Sequence, residues 1–193
     1  VCSSDLDFLV MMYLDHNATT PLDERVLEAM MPYLKGVVGN ASSVHRYGRI
    51  VRAAVDKARE QVAALVNAQP SQIIFTSGGT EANILMLKGL CINADVKRIA
   101  VSAIEHMSLL EPAAMVADSG CAVDKIAVNE QGLVTQASLK QAIKDNTALV
   151  SVMAANNETG AVQDIEALAA EANARGVWFH TDASQIAGKQ AFS

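Results

Sequence analysis

Cysteine is scarce in this sequence and scattered along it. The chain holds three, Cys2, Cys91 and Cys121, with no C-x-x-C pair, which speaks against a disulfide framework or a zinc ribbon and for a reduced setting. Cys91 falls on an expected helix and Cys121 opens an expected strand, so both read as small core residues rather than nucleophiles. No metal site is expected. No apolar run approaches the roughly 18–20 residues that span a bilayer, and the amino end lacks a basic region leading into a long apolar one. A membrane partner is therefore not expected, and the cytoplasm is the expected location. Positive charge is thin as well. Lys and Arg number 15 against 21 Asp and Glu, giving a net charge of −6, and no basic run exceeds a pair. The electrostatic footprint for nucleic acid is missing.

What the chain does have is apolar bulk. Of its 193 residues 51% are hydrophobic and 19% charged, enough for one folded domain or an incomplete piece of a larger one. The opening "VCSSDLDFLV" does not resemble the rest of the chain, and Met11 or Met12, heading "MYLDHNATTP", is the more credible start. Residues 1–11 are thus expected to be a non-native tail, 12–21 an N-terminal segment, and 22–193 the folded body.

Periodicity predicts a helix over 22–34 and a long one from Val44 to Val66 with Ser42 or Ser43 as cap. From Ile73 onward short apolar strands alternate with amphipathic helices. "QIIFT" leads to a helix from Thr80 to Ile92, "RIAVS" to one over 108–118, "AVDKIAV" to one starting near Thr135, "ALVSVMA" to one over 164–175, and "VWFHTD" comes last. Five strands in this order imply an α/β fold, three layers deep, with a mainly parallel sheet. The runs "IIF", "ALVSV" and "VWF" suit strands covered on both faces.

Ligands of open α/β sheets sit beyond the carboxyl ends of the strands, and unusual polar residues collect there. "TSGGTEAN" places Gly78 and Gly79 before a helix start that attracts a phosphate, and Thr80 adds a hydroxyl. Glycine also serves ordinary turns, and neither G-x-G-x-x-G nor the P-loop pattern is present. His106 carries a flat ring that can stack on an aromatic cofactor or move a proton, or simply cap a helix. Asp182 ends an apolar strand, as an N-cap or as a carboxylate facing a protonated ring nitrogen. Asn156 and Asn157 offer turn chemistry or amides for a polar ring substituent, and Lys189 reads as exposed.

"YLDHNATTP", "GNASSVHRYGR", "FTSGGTEAN", "IEHMS", "NNETGAVQDI" and "FHTDASQIAGK" occur in the order expected of the cysteine desulfurases, in the class V aminotransferase group of pyridoxal-phosphate (PLP) enzymes. The chain resembles the N-terminal half of that family from Met12 to Ser193. The resemblance implies that 22–193 form a partial PLP-binding large domain of fold-type I PLP enzymes, incomplete at its C-terminus, with the 12–21 segment near the substrate side. It implies PLP as cofactor. Gly79 and Thr80 resemble the phosphate-binding pair, and His106 the histidine that stacks on the ring and transfers protons. Asn157 and Gln185 look like the partners of the ring hydroxyl, and Asp182 like the partner of the pyridine nitrogen. It further implies L-cysteine as substrate, alanine as product, an enzyme cysteine that takes the sulfur as persulfide, an iron–sulfur scaffold or other sulfur acceptor, and a homodimer when complete.

Ala41 stands where the family commonly has proline, and Ile84 where a second asparagine often follows Asn83. Relatives are longer: they carry a "SGHK…GPKG" lysine that anchors PLP and a later persulfide cysteine on a mobile loop. Neither matches a position here, so the chain is expected to be a front half with at most traces of activity and an unpaired sheet edge. Another class V enzyme, a selenocysteine lyase or an aminotransferase, stays open, as does a non-catalytic PLP- or phosphate-binding module.

Overall fold

The computed structural model describes residues 13–16, 18–92 and 96–190. The expected tail of residues 1–11, Asn17 and the Cys91 side chain lie outside the described residues.

Helix α1 (Glu24–Lys35) starts at Asp23, whose carboxylate accepts the Arg25 N–H, and ends at Gly36. Helix α2 spans Arg46–Leu65, two residues later than the Val44 start expected from periodicity. Its cap is His45, not Ser42 or Ser43, because Asn40 Oδ1 takes both the Ser42 N–H and hydroxyl and holds that serine in a separate turn. Gly48 makes the packing of this turn possible. A Cβ there would lie 2.2 Å from the Ser43 carbonyl oxygen and 2.8 Å from that of Asn40.

From α3 (Gly79–Ile92) the alternation expected from the sequence holds. Strand β1 (Arg98–Ser102), helix α4 (Met107–Asp118), β2 (Ala122–Ile126), α5 (Gln136–Ala142), β3 (Thr147–Ser151), α6 (Ile165–Ala174) and β4 (Trp178–His180) succeed it. The four strands form one parallel sheet in the order β2-β1-β3-β4. Side chains alternate between its faces. Ile99, Val101 and Leu149 pack on Leu87 of α3 and on Leu109, Ala113 and Val116 of α4. Ala100, Val150, Val152 and Ile126 pack on Leu139 and Ala142 of α5 and on Leu168 and Ala172 of α6. The result is the three-layer α/β/α arrangement. Cys121 is buried in the first of these cores, as its core reading requires.

Two strand expectations fail. "QIIFT" is not a strand among the described residues: a 3-10 turn covers Pro70–Gln72, and Ile74 and Phe75 are 71% and 47% exposed. Ile73 has extended dihedrals, but a strand exists only with a partner, and this segment rests instead on α2. Arg59 donates to the Ile73 carbonyl and its guanidinium stands 5.1 Å from the Phe75 ring centroid. "VWF" is not covered on both faces either. β4 is the sheet edge, and Trp178 is 66% exposed while Phe179 packs on the core. No helix among the described residues is long and apolar enough to cross a membrane.

Candidate functional site

β1 leads through α4 to β2 on one side, whereas β3 leads through α6 to β4 on the other, so the chain reverses its direction of travel between β1 and β3. Crevices of open α/β sheets form at such switch points, at the carboxyl ends of the strands. A cavity of about 370 Å³ lies there. It is lined by Ala18, Gly79, Thr80, His106, Ser108, Met153, Asn157, Asp182, Ser184 and Gln185.

Each wall arises from local structure. Gly79 opens α3, and the first turn of a helix leaves its N–H groups without intrahelical acceptors. A Cβ on Gly79 would lie 3.2 Å from Ser184 Oγ, so glycine lets the α3 start and the loop after β4 approach each other. Glu81 Oε2 accepts the Ser77 N–H at 2.6 Å, and hydrogen bonds from Ser77 hold its pKa below the ordinary value.

His106 is the N-cap of α4, its Nδ1 accepting the Ser108 N–H at 3.1 Å, and it lines the cavity as well. The one residue thus both caps α4 and forms part of the cavity wall. Asp182 lines the cavity too, but it caps no helix, because residues 184–189 form turns. Its Oδ1 accepts the Ser184 N–H at 3.0 Å as a turn residue, and its Oδ2 accepts from Asn83 Nδ2 at 3.0 Å. Burial pushes the Asp182 pKa up, but bonds from the Ser184 hydroxyl and amide and from Asn83, with the nearby His180, outweigh it. The carboxyl stays below its usual range and remains ionised.

The two neighbouring asparagines separate cleanly. Asn156 Oδ1 takes the N–H groups of Glu158 and Thr159 and its amide donates to the Ile104 carbonyl, so it builds the loop. Asn157 is the one that faces the cavity. Gln185 is oriented by Lys189, whose ammonium donates to Gln185 Oε1 at 3.1 Å and to the His16 carbonyl at 2.9 Å. Because an ammonium only donates, the atom it meets must be the amide oxygen, and the Gln185 NH2 is left as the donor. Lys189 itself is exposed, as read from the sequence, and it ties the N-terminal segment that supplies Ala18 to the far wall.

The aminotransferase class-V family model matches residues 12–193. The chain belongs to that family. It is 42% identical over 179 residues to the cysteine desulfurase IscS of Dictyoglomus turgidum, covering 92% of this chain and 45% of that protein. It is 46% identical over 185 residues to cysteine desulfurase IscS of Vibrio cholerae, covering 93% and 46%. Among solved structures, a NifS-like protein superposes with a TM-score of 0.90 at 35% identity, over 94% of this chain and 51% of that one. SspA in complex with cysteine superposes with a TM-score of 0.86 at 34% identity, over 90% and 51%. This class-V chain thus spans about half the length of the relatives it matches, and it is a cysteine desulfurase family member in their N-terminal part.

All six residues singled out in the sequence, Gly79, Thr80, His106, Asn157, Asp182 and Gln185, line the one cavity. The class-V wall they form contains further residues that sequence reasoning passed over. Ser108, two residues past His106, completes the lining with Ala18, Met153 and Ser184, while Asn83, one turn after Thr80 on α3 and 3% exposed, stands behind it bonded to Ser108 and Asp182. Glu105 is buried directly behind it, accepting from Ser102 Oγ at 2.6 Å and from the Met153 N–H at 2.7 Å. The i to i+3 step from Thr80 to Asn83 was a legible hint; the role of Glu105 depends on how β1 and β3 end side by side.

Proposed function

We propose that the cavity binds pyridoxal 5'-phosphate and that the chain is the cofactor-binding part of a cysteine desulfurase. In this reading L-cysteine yields L-alanine, and the sulfur passes to an enzyme cysteine as persulfide for delivery to an iron–sulfur scaffold or another acceptor. The observation that carries the reading is the donor set around one cavity: a helix start with a glycine and a threonine, a flat histidine ring, two amides and an ionised, half-buried carboxylate.

The chemistry of these residues fits the group. Gly79 and Thr80 donate N–H and hydroxyl protons toward a phosphate at the start of α3. Asp182 keeps a proton on a facing pyridine nitrogen, since an ionised acceptor favours the charged form of its partner. Asn157 and the Gln185 NH2 donate toward a ring hydroxyl, and the His106 imidazole supplies a flat surface and a transferable proton. When bound, PLP supplies an electron sink for the α-carbon of the amino-acid substrate.

Among the described residues no lysine and no cysteine lines the cavity. We therefore assign these 193 residues non-covalent cofactor binding and at most traces of desulfurase turnover. Exposed Val26, Leu27 and Met30 of α1 and Ile50 of α2 are apolar surface of the kind a homodimer would cover, and three scattered cysteines with no C-x-x-C pair suit the cytoplasm. The test is a spectral titration with PLP, and then borohydride. Saturable binding that borohydride does not trap, with no alanine released from L-cysteine, supports the reading. Absence of binding refutes the cofactor assignment, and robust alanine release refutes the assignment of traces.

A further inference from the structure

The proton positions around His106 can be fixed one after another from the buried end of the site. Asp182 is ionised and can only accept, so the Asn83 atom 3.0 Å from its Oδ2 is the amide nitrogen. The same nitrogen lies 3.0 Å from Ser108 Oγ and gives it the second amide proton. Ser108 Oγ thus accepts from Asn83, and its own proton points elsewhere. His106 Nδ1 stands 2.9 Å from that oxygen, and the Ser108 backbone N–H reaches the same ring nitrogen at 3.1 Å. A ring nitrogen that accepts carries no proton, so the neutral imidazole holds its proton on Nε2. Both linking side chains are buried, and burial strengthens such bonds relative to exposed ones.

We propose that Asn83 and Ser108 are positioning residues that join Asp182 to His106 in one directed hydrogen-bond chain and hold the His106 ring as its Nε2–H tautomer. The consequence concerns what the ring can do. With Nδ1 committed to α4 and to Ser108, neutral His106 offers a proton, rather than a lone pair, at the atom left for a molecule in the cavity. The charge on Asp182 orients every donor in the chain, so a change at the carboxylate is felt at the imidazole without direct contact between them. This rests on the reading of the cavity as a PLP site only where PLP affinity is the readout.

The experiment has two arms on the 193-residue chain. Long-range proton–nitrogen correlation spectra, with the ring signals assigned through His106→Asn, report the tautomer and need no cofactor. Wild type is expected to show the Nε2–H form alone, and Ser108→Ala a mixture, because one of the two donors that hold Nδ1 is gone. Asn83→Leu is expected to give the same mixture, since the Ser108 hydroxyl is then free to turn away. The second arm measures PLP affinity for wild type, both single variants and the double variant. Each single loss is expected to be roughly tenfold, with the double no worse than the larger single, as for residues acting in series. An Nδ1–H or mixed ring in wild type overturns the proposal. So do unmoved His106 nitrogen shifts in a folded Ser108→Ala protein, or losses that simply add. If wild type does not bind PLP at all, the cofactor reading fails while the spectra still decide the chain.

Discussion

Glu105 provides the sharpest energetic prediction. Its side chain is buried, at 6% exposure, with Oε1 accepting from Ser102 and from the Met153 N–H and Oε2 without a partner among the described residues. Burial drives its pKa up; the two hydrogen bonds oppose the rise and the negative charge of Asp182 adds to it, leaving the group pushed up to about 7 from 4.5. The folded protein therefore binds more protons than the unfolded chain between those values, so stability falls as pH rises through the window. A displacement of this size is on the order of 3 kcal/mol between pH 5 and pH 8. Glu105→Gln keeps an oxygen for both donors and removes the charge. His180, whose pKa burial lowers against the pull of Asp182, acts in the opposite sense below about pH 6.5, where the unfolded imidazole takes up protons. It is present in both proteins and cancels in their difference. Urea midpoints of the two proteins, read at intervals from pH 5 to 8, should show the advantage of Glu105→Gln growing by on the order of 3 kcal/mol. A difference that stays constant across the range would mean that Glu105 titrates alike in the folded and unfolded chains, and its burial would then carry no such penalty.

Three further outcomes can be checked with simple variants. Gly48→Ala forces a Cβ onto the Ser43 and Asn40 carbonyl oxygens and should cost about 2 kcal/mol, lowering Tm by roughly 4–8 °C, whereas Gly78→Ala meets nothing within 4 Å and should leave Tm unchanged in a thermal melt. Lys189→Met removes the bonds to the His16 carbonyl and to Gln185; hydrogen exchange at residues 13–16 should speed up, and PLP affinity should fall by roughly threefold to tenfold. Asp182→Asn removes the ionised partner of the ring nitrogen and should weaken PLP binding by roughly 10- to 100-fold in a fluorescence titration, with the fold retained by circular dichroism.

The layered fold was legible because its helices announce themselves locally. Thr135 and Asp164 cap α5 and α6 where the sequence placed those helix starts, and the apolar alternation of β1 and β3 matches their two cores. What local pattern cannot specify is pairing. "IIF" has the residues of a strand, but whether it becomes one depends on a neighbour, and here Arg59 supplies a different anchor. Trp178 misled for a similar reason, since an apolar side chain on an edge strand has only one covered face. At the site, turn chemistry alone pointed to a phosphate-friendly rim; the six motifs added the roles. Asn83, Ser108 and Glu105 escaped because each also has a partner far along the chain: Asn83 reaches Ser108 across 25 positions and Asp182 across 99, and Glu105 reaches Met153 across 48.

Whether the cavity at the switch point between β1 and β3 holds the cofactor is decided by a crystal structure of the chain grown with PLP. The phosphate is expected at Gly79 and Thr80, the pyridine nitrogen at Asp182 and the ring against His106. PLP found elsewhere on the surface, or in the cavity with its phosphate turned toward Asp182, would contradict the assignment.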